Sequence, residues 1–189
     1  MISRSRLPTV IVGGLVSLGL LAGLADAVRS SRNDYVGDLQ PAIPFNAIAP
    51  DGTLVSLDAY RDRVVLIDFF ASWCKPCEHT MPKLLSVANG LADRGVVVLA
   101  ASCDEDTSDR DAKVRAFFNR INVIPPQIVY PTAETQRRYA VEGYPTTVLI
   151  DRAHRARLLS PDAPPLQIRG ALERALATGP SWDASGSQF

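Results

Sequence analysis

Unbroken apolar runs alternate along the chain with stretches whose apolar residues recur at helical spacing, and the longest run comes first. From Leu7 to Ala25, nineteen consecutive residues carry no charge and are mostly Val, Ile, Leu, Ala and Gly. As a helix they reach roughly 28 Å, close to the roughly 30 Å hydrocarbon layer of a bilayer. Arg4 and Arg6 on the short leading side favour an amino terminus in the cytoplasm, which exports everything after Asp26. Ala25-Asp26-Ala27 also fits a small-x-small cleavage site, so a retained anchor and a cleaved secretory signal both remain open. Either way residues 1–27 form an anchor or signal segment. Residues 28–40, rich in Ser, Arg, Asn and Asp, read as a solvated linker.

From Phe45 the pattern predicts a short strand pair turning at Asp51-Gly52, a strong hairpin dipeptide. Val64 to Phe70 is apolar throughout except for Asp68, as expected of a strand covered on both faces. Met81, Leu84, Leu85, Val87, Ala88 and Leu91 then recur at helical spacing, which predicts a helix ending near Gly95, with Pro82 inside it as a bend. Val96–Ala101 reads as a second buried strand. Asp109 or Asp111 can open a helix carrying Val114, Phe117, Phe118 and Ile121. A short strand over Ile128–Tyr130, a helix capped by Thr132 and a strand over Thr146–Ile150 follow. Arg155–Leu159 reads as an edge strand in a hairpin with the preceding one, and Pro165 opens a terminal helix to about Ala177. Residues 179–189 read as a flexible tail. Strands alternating with helices imply an α/β layered fold.

The chain has 189 residues, 47% hydrophobic and 21% charged. That suits one globular domain, over residues 41–178, plus an appendage. Twenty basic and twenty acidic residues are interleaved, so there is no electrostatic footprint for nucleic acid. Three cysteines are too few for a disulfide scaffold, and only Cys74 and Cys77 are neighbours.

These two lie in Trp73-Cys74-Lys75-Pro76-Cys77, where a buried strand gives way to a helix. A cysteine attacks disulfides only as its thiolate, so a reactive one needs its proton loosened. Free backbone N–H groups and the helix dipole at a helix start favour the negative charge on Cys74. Lys75 adds a positive charge, and Pro76 fits the first turn at no hydrogen-bond cost. Two intervening residues let Cys77 reach Cys74 and release a mixed disulfide. Zinc calls for about four ligands, and beyond the pair the chain offers only His79, His154 and Cys103, so no metal or other cofactor is expected. Asp68, six residues before Cys74 among apolar neighbours, is expected to hold its proton tightly and to take the proton from Cys77. Glu78 and His79 read as solvated surface, and Cys103 as a small core residue.

The run Val65 to Cys77 resembles the active-site strand and loop of thioredoxins. Gly143-Tyr144-Pro145-Thr146 resembles their cis-proline segment, and Met81-Pro82 their helix kink. Resemblance covers about residues 40–177. Together with the amino-terminal segment, the Asp51-Gly52 hairpin and the extra stretch from Asn119 to Thr132, it points to the membrane-anchored TlpA/ResA group. The implied fold is a thioredoxin-like three-layer α/β sandwich with a central mixed sheet and an added amino-terminal hairpin, preceded by one transmembrane helix. The resemblance further implies a cis Pro145 against the cysteines, a Tyr144 backbone that pairs with an extended substrate segment, and Trp73 beside it. It also implies disulfide reduction in exported proteins, in some cases apocytochrome c, with electrons refilled by a membrane donor protein. Asp68 departs from the group, many of whose members carry asparagine there, and matches thioredoxin itself.

An oxidant or isomerase of the same fold, or a metal-delivery module, are the alternatives. No Pro-x-x-x-Thr-x-x-Cys pattern precedes any cysteine, which argues against a peroxidase.

Overall fold

The computed structural model describes residues 35–179. The anchor or signal segment expected over residues 1–27 lies outside them, as does all but the first residue of the expected tail. Among the described residues no helix is long and apolar enough to cross a membrane.

Val64–Phe70 forms β4, buried along its whole length. Because successive strand side chains point to opposite faces, Val64, Leu66 and Phe70 enter one core cluster while Val65, Ile67 and Phe69 enter another. Each cluster needs a cover, and helices supply it. Lys75–Asn89 (α1), Arg110–Arg120 (α2) and Pro165–Ala177 (α4) bury Met81, Phe117 and Leu172 in the first cluster. Ala133–Arg138 (α3), with the following Tyr139, and the single helical turn Leu57–Tyr60 cover the second. The result is three layers with the sheet between.

The remaining strands are Tyr35–Pro41 (β1), Asn46–Ile48 (β2), Leu54–Ser56 (β3), Val96–Ser102 (β5), Gln127–Pro131 (β6), Thr146–Ile150 (β7) and Arg155–Leu159 (β8). Their order is β1-β8-β7-β4-β5-β6-β2-β3. β5 lies parallel to β4 and β6 parallel to β5, whereas β7 is antiparallel to β4 and β8 to β7. The sheet is therefore mixed. β2 pairs antiparallel with both β3 and β6. At the β2–β3 turn Gly52 takes a φ of 85°, a left-handed conformation that glycine adopts without cost, and Asp51 Oδ1 accepts the Thr53 N–H at 2.9 Å.

Three expectations are corrected. β8 is not an edge, because β1 pairs along its outer side. β1 occupies residues 35–41, part of the stretch expected to be linker; its unremarkable composition carries no strand signal, and pairing with β8 supplies the hydrogen bonds that its sequence does not advertise. The first helix stops at Asn89 instead of near Gly95. Leu91 still packs into the core, but from the turn between Gly90 and the short helical turn Ala92–Arg94, so its periodicity outlasts the helix.

Phe45, 1% exposed, stands edge-on to Phe69 at 6.3 Å and to Tyr139 at 6.0 Å, joining the segment before β2 to β4 and to the end of α3. Phe45→Ala is expected to lower the unfolding free energy by about 3 to 5 kcal/mol, read as a lower urea midpoint with an unchanged slope.

Candidate active site

β4 ends at Phe70, whose carbonyl accepts the Cys103 N–H at 2.8 Å. The chain then turns through Ala71, Ser72 and Trp73, closed by the Cys74 N–H donating to the Ala71 carbonyl at 3.0 Å. Cys74 is the N-cap of α1, and its Sγ accepts the Cys77 N–H at 3.2 Å. Pro76 sits in the first turn, where its missing N–H costs nothing. Cys74 and Cys77 are joined as a disulfide and are 3% and 0% exposed. A sulfur that already accepts a backbone N–H at a helix start is placed where negative charge is favoured.

Asp68 faces the α1 side of β4, and the β4–β7 register sets it directly across from Thr147. Thr147 Oγ1 donates to Asp68 Oδ1 at 2.6 Å, while Oδ2 is buried with no hydrogen-bond partner among the described residues. Burial raises its pKa from 3.8 to about 7, against the smaller lowering effect of Thr147. A cavity of about 20 Å³ adjoins it, lined in part by Thr80, Lys83, Thr147 and Ser160; that is room for one water with polar partners.

The Tyr144–Pro145 peptide bond is cis. Tyr144, Pro145 and Pro76 line one open groove of about 540 Å³ together with Thr80, Glu142 and Asp162. Trp73, 69% exposed, meets the Tyr144 ring edge-to-face at 5.8 Å. The two loops thus meet in one surface at the start of α1.

Lys75 Nζ donates to the Glu78 carboxylate at 3.1 Å, so its charge is partly spent on the helix itself. Glu78 is not the solvated residue expected. It is half-buried and also accepts Arg120 Nε at 2.9 Å, and hydrogen bonds from Lys75 and then Arg120 hold its pKa below the usual carboxylate value. His79 is exposed. Cys103 is half-buried rather than fully in the core; burial pushes its thiol up to about 12, with a smaller opposing effect from a hydrogen bond with Tyr144.

The sequence offered no reason to single out Thr147, Ser72, Asp104 or Arg120. Thr147 was accessible through strand register alone. Asp104 sits in a run of acidic residues that reads as a loop, and it is the side chains of Ser72 and Ser102 donating to it, at 2.6 and 2.8 Å, that give it a place at the site.

Residues 38–157, well over half of the chain, match the AhpC/TSA family. The chain belongs to that family. This AhpC/TSA chain is 31% identical over 122 residues to the thioredoxin-like protein YneN of Bacillus subtilis (strain 168), covering 65% of itself and 70% of YneN. It is 28% identical over 102 residues to the thiol-disulfide oxidoreductase ResA of Bacillus thuringiensis subsp. konkukian (strain 97-27), covering 54% of itself and 57% of ResA; the match thus spans less than two thirds of that relative. A crystal structure of a thioredoxin-family thiol:disulfide interchange protein from Chlorobium tepidum TLS superposes with a TM-score of 0.62 at 21% identity, covering 75% of this chain and 99% of the other. The shared fold is thioredoxin-like, as the motifs implied.

The raised pKa of Asp68 makes a testable demand on stability. The unfolded chain gives up this proton near 3.8 and the folded one near 7, so burial costs nothing below about pH 4. The cost grows as pH rises between the two values and is complete above about 7. Asp68→Asn is expected to be more stable than wild type above pH 7, by on the order of a few kcal/mol, since each tenfold change in proton affinity is worth about 1.4 kcal/mol. The gap is expected to close toward pH 4. Denaturant unfolding at a series of pH values measures it, and a gap that does not change with pH would assign the effect to packing.

Proposed function

We propose that the chain is an extracytoplasmic thiol-disulfide oxidoreductase that reduces disulfides in exported proteins, apocytochrome c among them, and is refilled by a membrane electron-donor protein. The observation that carries this reading is the Cys74–Cys77 disulfide at the start of α1, with Pro76 between the two cysteines lining the groove of Tyr144 and Pro145. Export rests on the uncharged stretch Leu7–Ala25 behind Arg4 and Arg6, serving as an inner-membrane anchor or as a signal cleaved to leave a soluble periplasmic form. The working unit is the thioredoxin-like domain over residues 41–178.

In the reduced protein the Cys74 thiolate attacks one sulfur of a substrate disulfide. A mixed disulfide forms and the other substrate sulfur leaves as a thiolate. Asp68 Oδ2, the unpaired oxygen, accepts the proton of Cys77, and the Cys77 thiolate attacks Cys74 Sγ. The second substrate sulfur leaves and the Cys74–Cys77 bond closes, so two electrons pass to the substrate. Trp73 and Tyr144 form the platform on which the substrate segment lies, with the Tyr144 backbone pairing to it and Pro145 keeping it against Cys74. Lys75 and Pro76 tune the pair, Pro76 by shaping the first turn and Lys75 by balancing Glu78. A carboxylate with a pKa of about 7 suits a proton acceptor at neutral pH.

The names of ResA and of the Chlorobium protein support the same chemistry. An oxidant or isomerase would use the same residues, and reduction potential separates the directions. Equilibration of the full chain in detergent with glutathione buffers is expected to give a potential below about −220 mV, whereas a value near −120 mV would make the protein an oxidant. Dithiol-dependent insulin reduction is expected from the same preparation and to vanish in Cys74→Ser; a Cys74→Ser protein that stays active would remove Cys74 as nucleophile. Asp68→Asn is expected to slow the reaction by about 10²-fold at pH 7, with Cys77→Ser accumulating mixed disulfide.

A further inference from the structure

The residue between the central strand and the cysteine loop is held more tightly than any turn requires. Each of the three polar groups of Ser72 is engaged by a side chain from another part of the fold. Its N–H donates to Asp104 Oδ2 at 2.9 Å and its Oγ to Asp104 Oδ1 at 2.6 Å. Its carbonyl accepts Arg120 Nη2 at 2.8 Å. Both anchors are themselves fixed. Asp104 also accepts Ser102 Oγ at 2.8 Å, at the end of β5, and its N–H donates to the same hydroxyl at 3.3 Å. Arg120, the last residue of α2, uses a different nitrogen, Nε, to reach Glu78 in the first turn of α1 at 2.9 Å.

We infer that Asp104 and Arg120 are positioning residues that clamp Ser72 from both sides and thereby hold Cys74 at the N-cap of α1, where its sulfur meets the Cys77 N–H. The inference rests on the thiol-disulfide reading above. A neutral turn would be adequately closed by its own backbone bond from Cys74 to Ala71. The added clamp fixes the peptide two residues before the sulfur, and a sulfur displaced from the helix start loses the N–H and dipole that favour its thiolate. Arg120 acts through geometry more than charge: one planar guanidinium spans the Ser72 carbonyl and the Glu78 carboxylate, a bridge that the single ammonium of lysine cannot reproduce. The charged side chains hydrogen-bonded at the loop and the first turn of α1 are Lys75, Glu78, Asp104 and Arg120.

The test compares the full chain with Arg120→Met, Arg120→Lys and Asp104→Asn in detergent. Single-turnover exchange of each reduced protein with oxidised glutathione is followed from pH 5 to 9, beside the potential of each cysteine couple and a thermal melt. In all three variants the midpoint of the pH profile is expected to move about one pH unit upward, which costs about tenfold in exchange rate at pH values below the midpoint and makes the potential about 30 mV more negative at pH values above it, the value of a tenfold change for a two-electron couple. A merely structural role lowers the melting temperature and leaves midpoint and potential where they were, which overturns the inference. So does an Arg120→Lys protein that matches wild type while Arg120→Met does not, since charge alone then suffices. The Arg120 side chain is 44% exposed, so its variants decide the matter even if Asp104→Asn fails to fold. A wild-type chain that exchanges no disulfide removes the proposed function instead, whatever the variants do.

Discussion

β4 is buried on both of its faces, and the rest of the molecule follows from that burial. Seven consecutive residues without exposed surface require a core on each face and a hydrogen-bonded strand on each edge, because a buried backbone group without a partner is costly. β5 and β7 satisfy the edges, and the helices and the segment around Phe45 supply the two cores. A strand so confined delivers its last residue to one place. The cysteine loop therefore begins from a rigid point and ends at a helix whose apolar face is locked into the same core.

The same burial makes polar residues on or near the strand expensive, and two carboxylates show different solutions. Asp151, 3% exposed, has both oxygens occupied: Oδ1 by the N–H groups of Ala153 and Arg155, and Oδ2 by the Arg155 guanidinium. It organises the β7–β8 turn. Asp68 is buried as deeply, yet only Oδ1 is engaged. A buried acceptor left open carries a cost, and it leaves Asp68 an oxygen that can take up a proton, the use the proposed function makes of it, while Asp151 has no such oxygen to offer.

The central strands were legible because their apolar runs report burial on two faces, a property the residues carry wherever they lie. The cysteine pair was legible because its spacing, its proline and its place at a strand-to-helix junction all bear on thiol chemistry. β1 was not, since it is a strand only through its pairing with β8. The end of α1 was misjudged because Leu91 serves the core from a turn as well as it would from a helix. Glu78 looked solvated because its two cationic partners include Arg120, 42 residues away. Ser72, Asp104 and Thr147 were silent for the same reason: their roles arise from partners that only the folded chain brings near. Local pattern reveals what a residue does to its own segment, and long-range partnership stays hidden until the segments meet.

Cys103 gives the molecule an odd number of cysteines, and its surroundings hold its proton in place. Burial pushes its thiol up to about 12, which keeps it in the protonated form at neutral pH, and the anion is the form that attacks. The Cys74–Cys77 bond leaves this third cysteine as a thiol, so two of the three cysteines account for the one electron pair that the disulfide stores.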